Sequence, residues 1–370
     1  MKVAIITILD NTNYGTYLQA LATGKAIQEL GHEVEIIRYT RKSMTPEGSS
    51  RQILKDRGVL RWLNRCVLKR KGRKRTFELR VKDLDFLSSY LPMTREYVGF
   101  EQLVDDPPKA DVYLTGSDQV WNSYYNHGID RSFYLDFAPM NATRISYAAS
   151  IGMPEFPANE VDDIVRLLRK YKNITVRETA AKKILAKLGI ASEVVLDPTL
   201  LLDKTAWANI ASHYPFTENE PYLLTYSVEY GKENSIIKHY AKQIAKKEGL
   251  KIYHITYSGI PKDNYYDKVF SYATPDQFLN LMLHASFVVV SSFHGTAFSV
   301  NFNKPFITVS PKRFNSRIES LLSITDLQSR IVTDCNCNVE DLGKIDYSVV
   351  NEILNEERLK SMNRLSEMLK

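Results

Sequence analysis

The sequence has little cysteine: three residues in 370, Cys66, Cys335 and Cys337. That is too few for a disulfide framework in a chain of this length. The C-x-C pair at 335 and 337 has no further cysteine or nearby histidine to complete a metal site, so both are read as incidental, in a protein of a reducing compartment. Long apolar runs are also missing. The opening run stops at Asp10 after seven residues, Val3 to Leu9, short of a signal-peptide core, which sets the expectation of a cytoplasmic protein. One stretch, Gln277 to Asn303, holds 27 residues without Lys, Arg, Asp or Glu, enough to span a bilayer. It contains His284, His294, Gly295 and several Ser, Thr and Asn positions, and a buried strand followed by a buried helix explains it better. Neither G-x-G-x-x-G nor G-x-x-x-x-G-K-[ST] occurs, so dinucleotide and P-loop chemistry are unsupported. The absence of G-x-S-x-G and H-E-x-x-H likewise leaves covalent hydrolysis and zinc catalysis without support.

What is present describes a globular chain: 44% hydrophobic and 25% charged residues, with a length suited to two domains. The net charge of +6 is unevenly placed. Residues 51–82 hold 13 basic and 2 acidic side chains, leaving 36 basic against 41 acidic elsewhere. The body is mildly acidic, and one segment is strongly basic. In that segment Leu54, Leu60, Trp62, Leu63, Val67 and Leu68 alternate with Arg57, Arg61, Arg65 and Lys69. Two readings stay open: an interfacial helix drawn to anionic lipid, or an insertion packed on the first domain with solvated cations. Nucleic acid is not expected, since no binding fold accompanies the charge.

Periodicity predicts alternating strands and helices. Strands are expected at Lys2 to Leu9, Glu33 to Tyr39, Ala110 to Thr115, Arg144 to Ser150, Ile174 to Arg177 and Glu193 to Leu196, then at Tyr222 to Val228, Lys251 to Thr256, Phe287 to Ser291 and Phe306 to Val309. Helices fall between them, one ending at Leu30 before Gly31 and a last one over about Tyr347 to Lys370. This is an α/β chain with two Rossmann-like domains facing a cleft. The expected division is 1–202 for the first domain and acceptor side, with a basic helical insertion at about 43–92. Residues 203–340 form the second domain and donor side, and 341–370 a C-terminal helix packing back on the first domain.

Four strand-end loops hold candidate chemistry. Asn13-Tyr14-Gly15 suits a sugar or an anion, or is a helix cap with a packed tyrosine. Thr115-Gly116-Ser117-Asp118-Gln119-Val120-Trp121-Asn122 places carboxylate and amide groups beside an aromatic plane, as a carbohydrate site needs; alternatively the tryptophan closes the core. Arg177 stands where a bidentate anion contact is possible, or pairs with Glu178. In Ser291-Ser292-Phe293-His294-Gly295-Thr296, the amides of Gly295 and Thr296 are expected to meet an anion, with His294 at its mouth able to move a proton. Lys312, Arg313 and Arg317 follow as a cationic run, or as a solvated helix start.

In this order NYGTYLQALAT, TGSDQVWN, YAASIG, TVRE, LDPTLLL and SSFHGTAFS resemble the polysaccharide pyruvyl transferase family, over nearly the whole chain to about residue 325. The resemblance implies a GT-B-like fold and transfer of pyruvate from phosphoenolpyruvate to a sugar, usually as a cyclic ketal, with phosphate released. The acceptor would be a sugar of a polysaccharide or lipid-linked oligosaccharide in exopolysaccharide or capsule biosynthesis. No cofactor is implied, only phosphoenolpyruvate as co-substrate, and the membrane would be met through residues 51–82. Arg177 and His294 match family positions that contact the donor. The family's R-x-H is here Ser292-Phe293-His294, so Arg313 or Arg317 is the candidate replacement for the missing arginine. His294 is assigned as general acid and Asp118 as the base toward the sugar hydroxyl. Gly295, Thr296, Lys312, Arg313 and Arg317 join Arg177 on the donor, while Asn13, Tyr14, Gln119, Trp121 and Asn122 hold the acceptor. The rivals are a nucleotide-sugar glycosyltransferase on the same fold and a non-catalytic saccharide-binding protein.

Overall fold

A computed structural model describes residues 1–9, 13–45, 80–227, 232–257, 264–310 and 315–370. Most of the basic segment, together with Lys312 and Arg313, lies outside these.

The opening run Lys2–Ile6 (β1) is apolar at every position after the lysine, as a strand covered on both faces requires. It pairs in parallel with Glu33–Ile36 (β2) on one side. Two two-residue strands, Tyr39–Thr40 (β3) and Tyr97–Val98 (β4), pair with each other in a separate ribbon. Val112–Thr115 (β5) takes the other side of β1, followed by Thr143–Ala149 (β6), Asn173–Val176 (β7) and Glu193–Val194 (β8), giving the order β2-β1-β5-β6-β7-β8. A second all-parallel sheet is built from Tyr222–Tyr226 (β9), Lys251–Thr256 (β10), Lys268–Ser271 (β11), Phe287–Val290 (β12), Phe306–Val309 (β13) and Ile331–Val332 (β14). Its order is β11-β10-β9-β12-β13-β14. The order reverses between β1 and β5 in the first sheet and between β9 and β12 in the second. These switch points are where open parallel sheets leave a crevice beyond the strand ends. The NYG, TGSDQ and SSFHG loops follow β1, β5 and β12.

Strands rich in Val and Ile emerge near their expected positions, whereas β3, β4, β11 and β14 were not anticipated. They are short, and β11 is exposed at Lys268 and only half-buried beyond it, so its sequence has no apolar signature. A helix at Lys204–Ala211, capped by Asp203, opens the segment assigned to the second domain.

Tyr14–Glu29 is the helix that joins the two halves. Every residue from Tyr14 to Gly24 is buried, as expected of a helix packed on all sides. One continuous apolar core runs from Val3 and Ile5 through Tyr17 and Leu21 to Trp207, Phe278 and Phe298 of the second half. The uncharged stretch is two buried helices, Pro275–His284 and Phe293–Asn301, flanking β12. Among the described residues no helix is long and apolar enough to cross a membrane. The last helix, Tyr347–Met368, returns to the first sheet: Ser361 Oγ accepts from Leu196 N at 3.0 Å, and Arg364 pairs with Glu193 at 2.7 Å.

Asp83 contributes a titratable contact to the seam between the halves. It is 2% exposed, and its carboxylate accepts from Tyr257 Oη at 3.4 Å. Tyr257 in turn stacks on Tyr14 at 4.1 Å. Burial pushes the Asp83 carboxyl up to about 8, against the opposing Tyr257 hydrogen bond and Lys82. A carboxyl raised in the folded state keeps its proton there while the unfolded chain loses it near pH 4, so its contribution to stability declines as pH rises from about 4 to about 8. Asp83→Asn is therefore expected to melt above wild type at pH 8.5 and to converge with it only as pH falls to about 4. Parallel pH–melting curves for the two proteins would contradict this.

Candidate functional site

Four strand-end segments of the first half and two helix starts of the second meet at the crevice. After β7 comes Arg177, 4% exposed. Its Nη1 donates to Asp197 Oδ2 at 2.8 Å, and its Nη2 lies 3.9 Å from Asp118 Oδ1. Its Nε lies 4.0 Å from Glu178 Oε2, and the guanidinium covers the Phe293 ring at 4.3 Å. Burial opposes its charge, but Asp197, Asp118 and Glu178 outweigh that and raise its proton affinity further.

Asp197 follows β8 in the L-D-P-T turn. Its Oδ1 accepts from Thr199 N at 2.9 Å and Thr199 Oγ1 at 2.7 Å, and its Oδ2 also accepts from Ser117 Oγ at 2.9 Å. Burial would favour its neutral form, yet Arg177 and His294 hold it down at about 2. The same Oδ2 lies 3.9 Å from His294 Nε2. Sequence reasoning gave Asp197 no role beyond its place in the LDPTLLL motif; a carboxylate directly beyond a strand's carboxyl end was the available signal.

Asp118 sits at φ 74° in the left-handed region, next to Ala148 at φ 51° on the neighbouring strand. Non-glycine residues held there store strain, which is commonest at functional sites. Thr16 Oγ1 donates to its Oδ2 at 2.8 Å and Gln119 N to its Oδ1 at 2.9 Å. Burial pushes the carboxyl up, but Arg177, His294, Arg317 and Thr16 bring it below the usual range. An ionised carboxylate with both oxygens engaged is a weak base. The structure favours Asp118 as a charge partner of Arg177 over the base expected.

His294 enters from Phe293–Asn301, capped by Ser292, whose Oγ accepts from Gly295 N at 2.9 Å. Ser292 thus stands where the resemblance calls for arginine, and it closes a helix turn. The imidazole is 4% exposed, and Nε2 has no hydrogen-bond partner. Burial, opposed by Asp197 and Asp118, pushes it down to about 4. His294 is neutral at pH 7 in this state, not protonated as expected. The Gly295 amide is spent on the Ser292 cap and that of Thr296 on the Ser292 carbonyl, so neither is open to an anion as anticipated. The same ring abuts Gly15: a Cβ there would fall 1.9 Å from Nδ1. The NYG and FHG motifs therefore interlock across the two halves.

Arg317, on Ser316–Ile324, places its guanidinium over Phe293 at 5.9 Å, on the ring that Arg177 also covers. Of the run Lys312, Arg313 and Arg317, it is the member that lies among the described residues, and it stands at the site.

The expected acceptor group is largely corrected. Trp121 is fully buried, stacked on Tyr134 at 5.7 Å with Nε1 donating to Phe133 O at 3.1 Å, and offers no face to a sugar. Tyr14 is fully buried between Tyr257 and Phe278. Asn122 caps the helix Ser123–Asn126 and donates to Gln119 Oε1 at 2.8 Å, binding both amides into the loop. Asn13 caps its own helix by accepting from Gly15 N at 3.0 Å and remains half-buried. Glu178, first read as a neighbour for Arg177, accepts from Ser150 Oγ and from the amides of Ile151 and Gly152, fixing the Y-A-A-S-I-G loop.

In comparisons with known proteins, a family model described as polysaccharide pyruvyl transferase matches residues 13–313. No curated protein matches. Among solved structures, UDP-GlcNAc 2-epimerase from Methanocaldococcus jannaschii is 14% identical with a TM-score of 0.56, covering 100% of this chain and 99% of that one. Anabaena HepE in complex with UDP and glucose is 8% identical with a TM-score of 0.50, over 100% and 99%. At these identities the likeness shows the fold, which is GT-B-like.

Proposed function

The chain belongs to the polysaccharide pyruvyl transferase family, and from that premise we propose that it moves pyruvate from phosphoenolpyruvate onto two hydroxyls of one sugar, as a cyclic ketal, releasing phosphate. The observation that supports this reading best is a set of unsatisfied donors in a buried site. Arg177 Nε and Nη2 have no hydrogen-bond partner, and neither does His294 Nε2. Buried polar groups are nearly always paired, so groups left unpaired around one crevice suit an anionic ligand that completes them.

Phosphoenolpyruvate brings a carboxylate and a phosphate. Arg177 and Arg317 supply cations for them, the first already oriented by Asp197. Preorganised charge of this kind stabilises a transition state without rearrangement. A polyanion beside His294 favours its imidazolium and offsets the burial that otherwise keeps it neutral. His294 then protonates the methylene carbon, making it methyl, while a sugar oxygen bonds to the central carbon and its proton passes back to the imidazole. The carbon–oxygen bond to phosphate breaks, and a second hydroxyl of the sugar closes the ketal, its proton leaving with the phosphate. A sugar of a polysaccharide or of a lipid-linked oligosaccharide is the proposed acceptor.

His294→Ala is expected to lower phosphate release from phosphoenolpyruvate, in the presence of a sugar panel, by about 100-fold or more, the usual scale for a general acid. A UDP-sugar donor serves as the control. Release of UDP without consumption of phosphoenolpyruvate would replace this reading with glycosyl transfer, and near-normal phosphate release from His294→Ala would remove the histidine from the chemistry.

A further inference from the structure

The second sheet carries a cavity at the end opposite the crevice. Leu250, Phe287, Pro305 and Arg330 stand at the amino ends of β10, β12, β13 and β14, and all four line a volume of about 720 Å³. Ile244 of the helix Lys232–Glu248 and Val339 of the turn Val339–Leu342 add to its walls. A volume of this size suits a small organic molecule.

Arg330 gives the cavity its chemistry. It is 5% exposed, and its Nη2 donates to Leu342 O at 2.8 Å and Gly343 O at 3.0 Å. Nε has no hydrogen-bond partner, and among the described residues no carboxylate pairs with the guanidinium. Buried arginine need not be left this way. Arg144, also buried, gives Nε, Nη1 and Nη2 to the carbonyls of Leu135, Ala142, Ala138 and Pro139. Arg330 instead holds an unspent donor beside an open volume, where an acceptor would offset the cost of its burial. At the rim Glu340 pairs with Lys247 at 2.9 Å, and Glu248 and Lys344 are exposed. Those four charges cancel, so Arg330 sets the sign inside.

Asn303 supplies a complementary group. It follows the helix Phe293–Asn301 at φ 57°, with Asn303 N donating to Val300 O and Lys304 N to Ser299 O. That helix-ending motif accounts for the left-handed backbone, which asparagine tolerates. It does not account for the side chain. Asn303 lines the same cavity, and its Oδ1 is buried without a partner.

We propose that this cavity binds a small amphipathic carboxylate, with its anionic head on Arg330 and its apolar body against Ile244, Leu250, Phe287 and Val339. A hydroxyl of the ligand donates to Asn303 Oδ1. One guanidinium among apolar walls suits a carboxylate, whereas a polyphosphate calls for several cations. The site is separate from Arg177 and His294 and stands whether or not the crevice transfers pyruvate.

The test is saturation-transfer NMR with 4-hydroxybenzoate, 4-hydroxyphenylacetate and 3-(4-hydroxyphenyl)propionate, which space carboxylate and hydroxyl differently. The neutral amide of each acid is the control. Wild type is expected to saturate the ring protons of at least one acid and to bind it about tenfold or more tightly than its amide. Arg330→Gln is expected to weaken that acid by a similar factor. Because this change also frees the Leu342 and Gly343 carbonyls, Asn303→Gly provides a second reading. Glycine is at home in the left-handed position, so the melting temperature is kept while affinity falls about threefold or more. No saturation of any acid by wild type overturns the proposal, as does equal binding of acid and amide. An acid held by Arg177 in the crevice keeps wild-type affinity in both variants, and that result overturns it too.

Discussion

Asp197→Asn is expected to reduce phosphate release by about 1000-fold and to destabilise the protein by about 3–5 kcal/mol at pH 7, the cost of breaking a buried ion pair from one side. The reason is Arg177, only 4% exposed, for which Asp197 is the one carboxylate within direct hydrogen-bond distance among the described residues. Asp118 at 3.9 Å and Glu178 at 4.0 Å remain but are farther off. An asparagine keeps the shape and the Thr199 contacts while removing the charge that orients the guanidinium. The effect carries a pH signature. A carboxyl held at about 2 in the folded state and near 4 when unfolded stabilises fully above pH 4, and that contribution is lost as pH falls toward 2. Urea denaturation at pH 7, 5 and 3 is therefore expected to show the difference between wild type and Asp197→Asn narrowing in acid. Equal stability and equal turnover at pH 7 would show that Arg177 is held by something other than Asp197.

How much of this was legible in the sequence depends on which physical signal each residue left. The central strands were readable because burial on both faces demands unbroken Val and Ile, as in Val288-Val289-Val290. The helix starting after Asn13 was readable from its cap and its stop at Gly31. Edge strands such as Lys268–Ser271 are defined by a neighbour's hydrogen bonds, and they left no pattern to find. The site itself was half visible. Arg177 and His294 stand at strand ends, where parallel sheets place ligands, and the structure brings them around the same Asp197 oxygen. Asp197 had only its place beyond a strand end to mark it, because its partner Ser117 lies 80 positions away, a distance only the fold closes. Trp121 misled for a different reason. Composition does not separate an indole that stacks on a sugar from one whose N–H is satisfied by a buried carbonyl, here Phe133 O. His294 shows burial overruling the ordinary proton affinity of an isolated side chain.

Gly15→Ala is the second large effect expected, and it separates a helix-forming argument from a packing one. On an isolated helix, alanine is favoured over glycine by about 1 kcal/mol, so position 15 looks like a place to gain stability. Here the added Cβ would fall 1.9 Å from His294 Nδ1, 2.1 Å from Cγ and 2.6 Å from Cε1. A rigid ring enclosed by core offers no rotation that relieves all three contacts, so the imidazole must leave its place or the two halves must separate. Displacement by about 1 Å is enough to cost about 100-fold in a positioned reaction, and a loss of at least that size in phosphate release is expected. As the ring moves toward solvent its pKa should climb from about 4 toward the ordinary histidine value, which an NMR titration of the imidazole protons reads directly. The decisive comparison is the double variant Gly15→Ala/His294→Ala. Removing the ring makes room for the new methyl group, so the double variant should be more stable than Gly15→Ala alone and no less active than His294→Ala alone. That non-additivity is what two groups in direct contact produce. A Gly15→Ala protein with wild-type turnover, or two variants whose stability losses simply add, would mean that the two halves of the molecule do not meet through this glycine and this histidine.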